Sequence, residues 1–410
     1  MNKLRVIELF AGVGGFRLGL EGWMGKSAIT CYKKHLNQHF EVVWSNQYEP
    51  STKIQHASEI YKNRFGEKNH SEEDISKIKG EDLPLHDILV GGFPCQDYSV
   101  ANSLRTAKGI LGKKGVLWWE IERLIKELGK NKPKYLVLEN VDRLLKSPVI
   151  QRGKDFAVML ACLNAHGYVV EWRVINAADF GFPQKRKRVF IIAYLGEQNH
   201  DIFSYEFKYE SIKKEATFTI NGSLENITND FGRMDKTLKF LNSGVCINQT
   251  VITRELEYIK PNKPQLLQDF IETDAANIED EFWIEDKDIP RWKEAKGGKS
   301  IPRTSKTTGH QYLFSEGDMS FPDKLEAPAR TIITSEGGKS PSRFKHVIEQ
   351  NGRYRRLTPV ELERLNMFPG DHTNIEGIKS SKRAFLMGNA LVVGVVEKIG
   401  SCIVLLGQKK

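Results

Sequence analysis

Apolar residues in the first half of the chain follow two alternating rhythms. Short runs dense in Val, Ile, Leu and Phe occupy residues 4–10, 41–44, 87–90, 135–138, 169–176 and 188–195. Their brevity and their branched or aromatic side chains predict buried strands. Between several of them, apolar positions recur at helical spacing, over residues 51–65, 116–128 and 155–165. Such strand–helix alternation predicts an α/β fold, a parallel sheet with helices on both faces. From about residue 196 the rhythm breaks. Polar clusters such as residues 293–299 and 335–342 interrupt it, predicting a second, loop-rich domain. Regular helix signals then return: Thr358-Pro359-Val360-Glu361 places Thr at an N-cap, Pro at the first helical position and Glu at N3, a capping box. Residues 390–406 predict a closing apolar helix. The expected division is 1–195, 196–353 and 354–410, the last segment returning to the first domain.

Composition narrows the function classes. The chain has 410 residues, 40% hydrophobic and 28% charged, which excludes a disordered or disulfide-stapled scaffold. Lys plus Arg number 61 against 52 Asp plus Glu, a net charge of +9. That surplus suits a polyanionic partner and equally a Lys-rich solvated surface. The five cysteines, Cys31, Cys95, Cys162, Cys246 and Cys402, form no C-x-x-C pair. This argues against a zinc site and for reduced, cytoplasmic thiols. Glu8 interrupts the N-terminal apolar run and Arg17 comes soon after it, so the run reads as a strand rather than a leader. Glu397-Lys398 likewise break the last apolar stretch, and no membrane span is expected.

In an open α/β sheet, ligands gather beyond the carboxyl ends of the strands, so the residues just past each strand matter most. The first strand runs into Ala11-Gly12-Val13-Gly14-Gly15, a turn that lets backbone approach a nucleotide-like ligand. Arg17, in place of the third glycine of G-x-G-x-x-G, counts against a dinucleotide. The second runs into Gln47, Tyr48 and Glu49, able to bond a ribose and stack on a purine, or simply to start a helix with an acid nearby. After residues 87–90 comes Gly91-Gly92-Phe93-Pro94-Cys95-Gln96. A cysteine there is either a structural thiol or a thiolate favoured by a nearby helix start. Glu139-Asn140 come after the fourth run, placing a carboxylate at the same sheet edge. In Gln184-Lys185-Arg186-Lys187-Arg188, strand alternation points Gln184, Arg186 and Arg188 to one face. Residues 105–115 mix Arg105, Lys108, Lys113 and Lys114 with three glycines, a loop suited to closing on phosphates.

Taken together and in this order, these segments resemble the C5-cytosine DNA methyltransferase family, bacterial restriction–modification enzymes above all. The resemblance rests on Phe10-Ala11-Gly12-Val13-Gly14-Gly15, Pro94-Cys95-Gln96, Glu139-Asn140-Val141, Gln184-x-Arg186-x-Arg188, Arg356-Leu357-Thr358-Pro359 and Gly388-Asn389-Ala390. It covers nearly the whole chain outside the insert 196–353.

The resemblance implies a class I S-adenosylmethionine-dependent methyltransferase, a Rossmann-like mixed sheet with a smaller target recognition domain. Phe10, Gly12, Val13 and Gly15 would pack around S-adenosylmethionine. Tyr48 would stack on adenine, Asp74 and Ile75 would contact it, and Pro94, Leu117, Asn389 and Ala390 would complete the pocket. Whether Gln47 or Glu49 holds the ribose stays open.

Cys95 would add covalently to C6 of cytosine, since C5 alone is a poor nucleophile towards a sulfonium methyl group. Glu139 would protonate N3 and must therefore keep its proton, which a desolvated pocket favours. Arg188 would bond the base O2, and Arg186 would support the Cys95 region. The implied partner is double-stranded DNA with one cytosine flipped out, acted on by a cytoplasmic monomer in company with a cognate endonuclease. Within the insert, Arg303, Lys306, Lys339, Arg343 and Lys345 are candidates to face DNA, the stretch 340–343 foremost. Related transfer-RNA cytosine methyltransferases share such a core, but the long insert favours duplex DNA, which needs a reader. No metal is implied.

Overall fold

The computed structural model describes residues 3–23, 39–93, 117–148, 151–233, 239–304 and 309–408. The six expected strands form within two residues of the predicted limits, except that the fourth runs three residues further. They are β1 (Leu4–Leu9), β2 (Phe40–Asn46), β4 (Ile88–Gly92), β5 (Tyr135–Val141), β6 (Tyr168–Asn176) and β7 (Lys187–Leu195), with a two-residue β3 (His70–Ser71) added. Between them lie α1 (Gly15–Glu21), α2 (His56–Phe65), α3 (Leu117–Leu128) and α4 (Lys154–Ala165). Helix α2 starts later than predicted. The Gln55 amide instead donates to the carbonyls of Glu49 and Thr52 and holds residues 49–55 as a turn.

Strand order is β3-β2-β1-β4-β5-β7-β6, parallel from β3 to β5 and antiparallel at β7 and β6. The sheet is therefore mixed, as the family resemblance implies, rather than wholly parallel. The chain winds outward from β1 in both directions, which makes the gap between β1 and β4 the switch point where a ligand crevice opens. Alternation divides the side chains between two cores. Val6, Val90, Val137 and Ile192 meet α1, α2 and the C-terminal helices. Ile7, Leu89, Leu136 and Ile191 meet α3 and α4.

The sheet runs on past residue 195. Strands β8 (Tyr209–Thr219), β9 (Ser243–Ile247) and β10 (Thr250–Tyr258) continue it, to ten strands among the described residues. Strand β9 pairs antiparallel with β6, Val170 opposite Cys246 and Arg173 opposite Ser243. The β9–β10 turn is Asn248-Gln249, both at positive φ, 45° and 63°. Paired left-handed residues are what a two-residue hairpin needs, but Asn-Gln signals it far less than Asn-Gly. The outer strand β8 is mostly exposed and carries Lys213, Lys214 and Glu215, charges that discourage pairing with another chain.

Beyond residue 258 the chain does become loop-rich. A short helix α5 (Leu224–Asp230) has already preceded β9; here α6 (Ile289–Lys296) is short too, and two hairpins stand apart from the main sheet: β11 (Lys299–Thr304) with β12 (Gln311–Glu316), and β13 (Val347–Gln350) with β14 (Arg353–Arg356). A small core of Ile284, Trp292 and Val347 supports this part.

Helix α7 (Pro359–Leu365) begins with the expected capping box: the Thr358 hydroxyl accepts from the Glu361 amide, and the Glu361 carboxylate accepts from the Thr358 amide. Then come α8 (Ser380–Asn389) and α9 (Val393–Gln408). By length and hydropathy alone the Ser380–Gln408 stretch could cross a membrane, yet 61% of its most apolar window is buried in the protein. Val396 of α9 lies so close to Gly19 of α1 that a Cβ there would come within 2.6 Å of it.

Candidate active site

The crevice at the switch point is built on strained backbone. Phe10, Gly12 and Gly14 all have positive φ, 54°, 56° and 87°. For Phe10 this conformation is costly and must be held from outside. Two side chains do so. The Gly12 amide donates to Oε1 of buried Gln47 at 2.7 Å, and His372 Nε2 donates to the Val13 carbonyl at 2.7 Å. Gln47 is thus engaged in shaping the turn. Glu49 is freer, with Lys382 3.7 Å from its carboxylate. Tyr48 is exposed at the end of β2.

Asn46 draws the next turn in, its amide donating to the carbonyls of Ser71 and Glu73. That places Asp74 and buried Ile75 beside the end of β2, with Asp74 accepting from the amide and hydroxyl of Ser76. From the C-terminal segment, Leu391 packs so close to Gly15 that a Cβ there would meet it at 3.1 Å. This brings neighbouring Asn389 and Ala390 to the same crevice; Leu117, at the start of α3, packs beside the second core. Pro94 and Cys95 lie outside the described residues, as does the basic loop 105–115.

The neighbouring sheet edge is described on either side of them. Glu139 stands opposite Gly92 in the β4–β5 ladder, and its carboxylate is ion-paired with Arg188 of β7 at 2.9 Å. Asn140 is buried, and its amide donates to the Phe93 carbonyl at 2.9 Å. It therefore fixes the backbone that leads into Pro94-Cys95. Gln184 and Arg186 turn inward as strand alternation predicts, while Lys185 and Lys187 are exposed. Gln184 accepts from the Ile332 amide at 3.0 Å and donates to Asn366 at 2.8 Å. Arg186 donates to the carbonyls of Ile332 and Gly388. Burial lowers its pKa well below the ordinary value, and nearby Arg188 adds repulsion. In this arrangement Arg186 joins the late segments to the sheet.

Three positions escape sequence reasoning. Asn140 reads only as the neighbour of Glu139, and His372 carries no local signal at all. Burial pushes the His372 imidazole down to about 3, so it is neutral and can hold Val13 without bringing a charge to the crevice. Glu8 lies wholly buried beneath the turn, accepting from Tyr61 at 3.0 Å and from the Arg17 amide. Its burial raises the pKa to about 7.

The basic residues expected to face DNA separate into two groups. Lys345 is buried, its ammonium donating to the carbonyls of Gly338 and Ser340. Arg343 is pinned to Glu316 at 2.6 Å and to the Gly317 carbonyl at 2.7 Å. Both hold the loop fold together in the free protein. Arg303 and Lys339 are exposed, and Lys306 lies outside the described residues.

The profile of the C-5 cytosine-specific DNA methylase family matches residues 4–404. The chain belongs to that family. Type II methyltransferase M.Sau3AI of Staphylococcus aureus is 46% identical over 98% of this chain and 96% of its own. Type II methyltransferase M.HaeII of Haemophilus aegyptius is 35% identical over 52% of this chain and 57% of its own. Among solved structures, the Dnmt2 methyltransferase of S. pombe superposes with a TM-score of 0.60 at 15% identity, covering all of both chains; at that identity the likeness shows the fold alone. This DNA (cytosine-5) methylase uses S-adenosylmethionine as methyl donor. Its crevice fits the cofactor. Among the described residues, nothing lies within 4 Å of where a Gly12 Cβ would stand, so this backbone has room for a ligand. Tyr48 and Glu49 beside it leave an aromatic ring exposed and a carboxylate partly exposed.

Proposed function

We propose that the methylase acts on one cytosine flipped out of duplex DNA, through a covalent bond from Cys95 to C6. The Glu139–Arg188 pair carries this reading: it puts a proton donor for N3 and a hydrogen-bond donor for O2 together, with Glu139 opposite Gly92, close in sequence to Cys95. In the free protein the two groups satisfy each other. An entering cytosine exchanges that pair for its own N3 and O2, at an energetic cost for flipping of about a few kcal/mol.

The thiolate of Cys95 adds to C6, and the C5–C6 π pair is drawn towards N3, which takes a proton from Glu139, one that the carboxylate picks up from solvent as it exchanges Arg188 for the base. C5 becomes an enamine carbon, nucleophilic enough for the electrophilic methyl group that S-adenosylmethionine supplies when bound. Loss of the C5 proton to a base then lets the Cys95–C6 bond break, which expels Cys95 as the thiolate and restores the aromatic ring, the N3 proton returning to Glu139. Asn140, bonded to Phe93, orients the segment that carries the sulfur. Glu49 takes the ribose hydroxyls, since Gln47 is engaged by Gly12. Residues 196–353 supply target recognition. The enzyme works as a monomer in the bacterial cytoplasm, protecting DNA against a cognate endonuclease.

The test is methyl transfer from tritiated S-adenosylmethionine to a mixed-sequence duplex and, separately, to transfer RNA, comparing the native protein with Cys95→Ala. Label is expected at C5 of duplex cytosine, absent in the variant while cofactor binding persists. Label on cytosine N4, or transfer by Cys95→Ala, overturns the covalent route; label on RNA alone overturns the substrate.

A further inference from the structure

We infer that the β11–β12 ribbon is the element that reads base edges, lying in the major groove next to the target cytosine. The inference rests on the reading of the protein as a methylase of duplex DNA and names the part of 196–353 that confers selectivity.

Every residue of β11 is exposed, as are Gln311, Tyr312 and Leu313 of β12. Both faces of the ribbon are therefore bare, including the apolar side chains of Ile301, Tyr312 and Leu313, exposed by 44%, 44% and 63%. A soluble chain rarely leaves such a surface uncovered without a partner. The ribbon has the shape of a groove reader. Six paired residues on each strand span roughly 20 Å at the usual rise, and the major groove, about 12 Å wide, admits a two-stranded ribbon.

Its charge fits as well. Lys299 and Arg303 are exposed, and Glu316, the acidic residue of these two strands, is neutralised by Arg343. Pairing register puts Ser300, Pro302, Thr304, Gln311, Leu313 and Ser315 on one face, with hydroxyl and amide groups at both ends that can match base edges and an apolar centre, Pro302 opposite Leu313, that can meet a thymine methyl group. On the other face the Arg303 guanidinium lies 3.7 Å from the centre of the Phe314 ring, which steadies its planar fork for a bidentate contact.

The base is rigid although the arm projects. The Gly298 amide donates to Asp318, and Arg343 clamps Glu316 and Gly317. From there bonds run without a gap to the catalytic edge. Lys296, just before the ribbon, pairs with Asp323, and Asp323 with Arg330. Ala329 accepts from the Lys185 amide at 2.7 Å, and Ile332 accepts from Arg186. Through these, the reader is tied to the strand that carries Arg188.

The experiment uses the full chain, S-adenosylmethionine and a duplex library of randomised sequence, with methylated cytosines found by bisulfite sequencing. Thr304→Ala and Gln311→Ala replace exposed side chains on the face proposed to meet the bases, so their melting temperatures and cofactor affinities should match the wild type. Each is expected to lower the ratio of methylation at wild-type sites to that at other sites by roughly 5- to 150-fold, the range for losing one base contact. An unchanged ratio overturns the inference. So does a uniform loss of DNA affinity with the ratio intact, which would make the ribbon a phosphate clamp, or a changed oligomeric state with the ratio intact, which would make it a contact between chains. Absence of any C5 methylation by the wild type would instead strike the functional reading beneath it.

Discussion

Replacing Gln47 by Ala removes the acceptor that the Gly12 amide uses at 2.7 Å. The turn it holds contains three left-handed residues in five, one of them Phe10, so it has little intrinsic preference for its native shape. Gln47 is only 7% exposed, and water replaces its oxygen poorly. Leaving a buried amide unsatisfied costs about 1–3 kcal/mol. If that cost falls on the cofactor-binding conformation, S-adenosylmethionine should bind roughly 5- to 150-fold more weakly, at 1.4 kcal/mol per tenfold. Isothermal titration calorimetry measures this directly. Gln47→Glu keeps an acceptor oxygen in the same place, beside the start of α1 whose dipole favours an anion, and should retain most of the affinity. Glu49→Gln should weaken binding about tenfold through loss of a charged acceptor for the ribose. Wild-type affinity in Gln47→Ala would refute the argument that this side chain shapes the cofactor turn.

Three further outcomes are expected. Glu8 is raised to about 7 from 4.5 by burial, so the folded state retains a proton that the unfolded state loses, and this group costs stability increasingly as pH rises from about 4.5 to 7. Glu8→Gln should therefore gain about 2 kcal/mol on the wild type between pH 5 and pH 8, read by urea denaturation; a pH-independent difference would contradict it. Gly388→Ala would place a Cβ 2.5 Å from the backbone of Ile333 and Thr334, and overpacking of this kind costs about 1–3 kcal/mol. A lower melting temperature and weaker cofactor binding should appear together, because Asn389 and Ala390 come directly after it. Glu139→Gln should lower kcat roughly 10²- to 10⁴-fold with cofactor affinity unchanged; full activity in single-turnover kinetics would remove Glu139 from the proposed mechanism.

Local pattern is enough for the elements of the catalytic half. Alternating and helical periodicities place β1, β4, β5, β6 and β7, and the Thr358–Glu361 capping box places the start of α7, because each depends on neighbours in the chain. The ordered motifs are enough for the family, since the glycine turn, Glu139-Asn140 and the 184–188 alternation each sit at a strand end. The contacts beyond the reach of sequence are long-range. The Gln47 contact spans 35 residues and the His372 contact 359, and no local signal encodes a partner that far away. The same holds for β8 to β10, whose polar outer strand reads as loop until β6 is there to pair with β9. Arg343 and Lys345 read as free charges in the sequence because charge is a property of the residue. Whether a charge meets solvent, a carboxylate or a carbonyl is a property of the packing, and only the folded chain decides it.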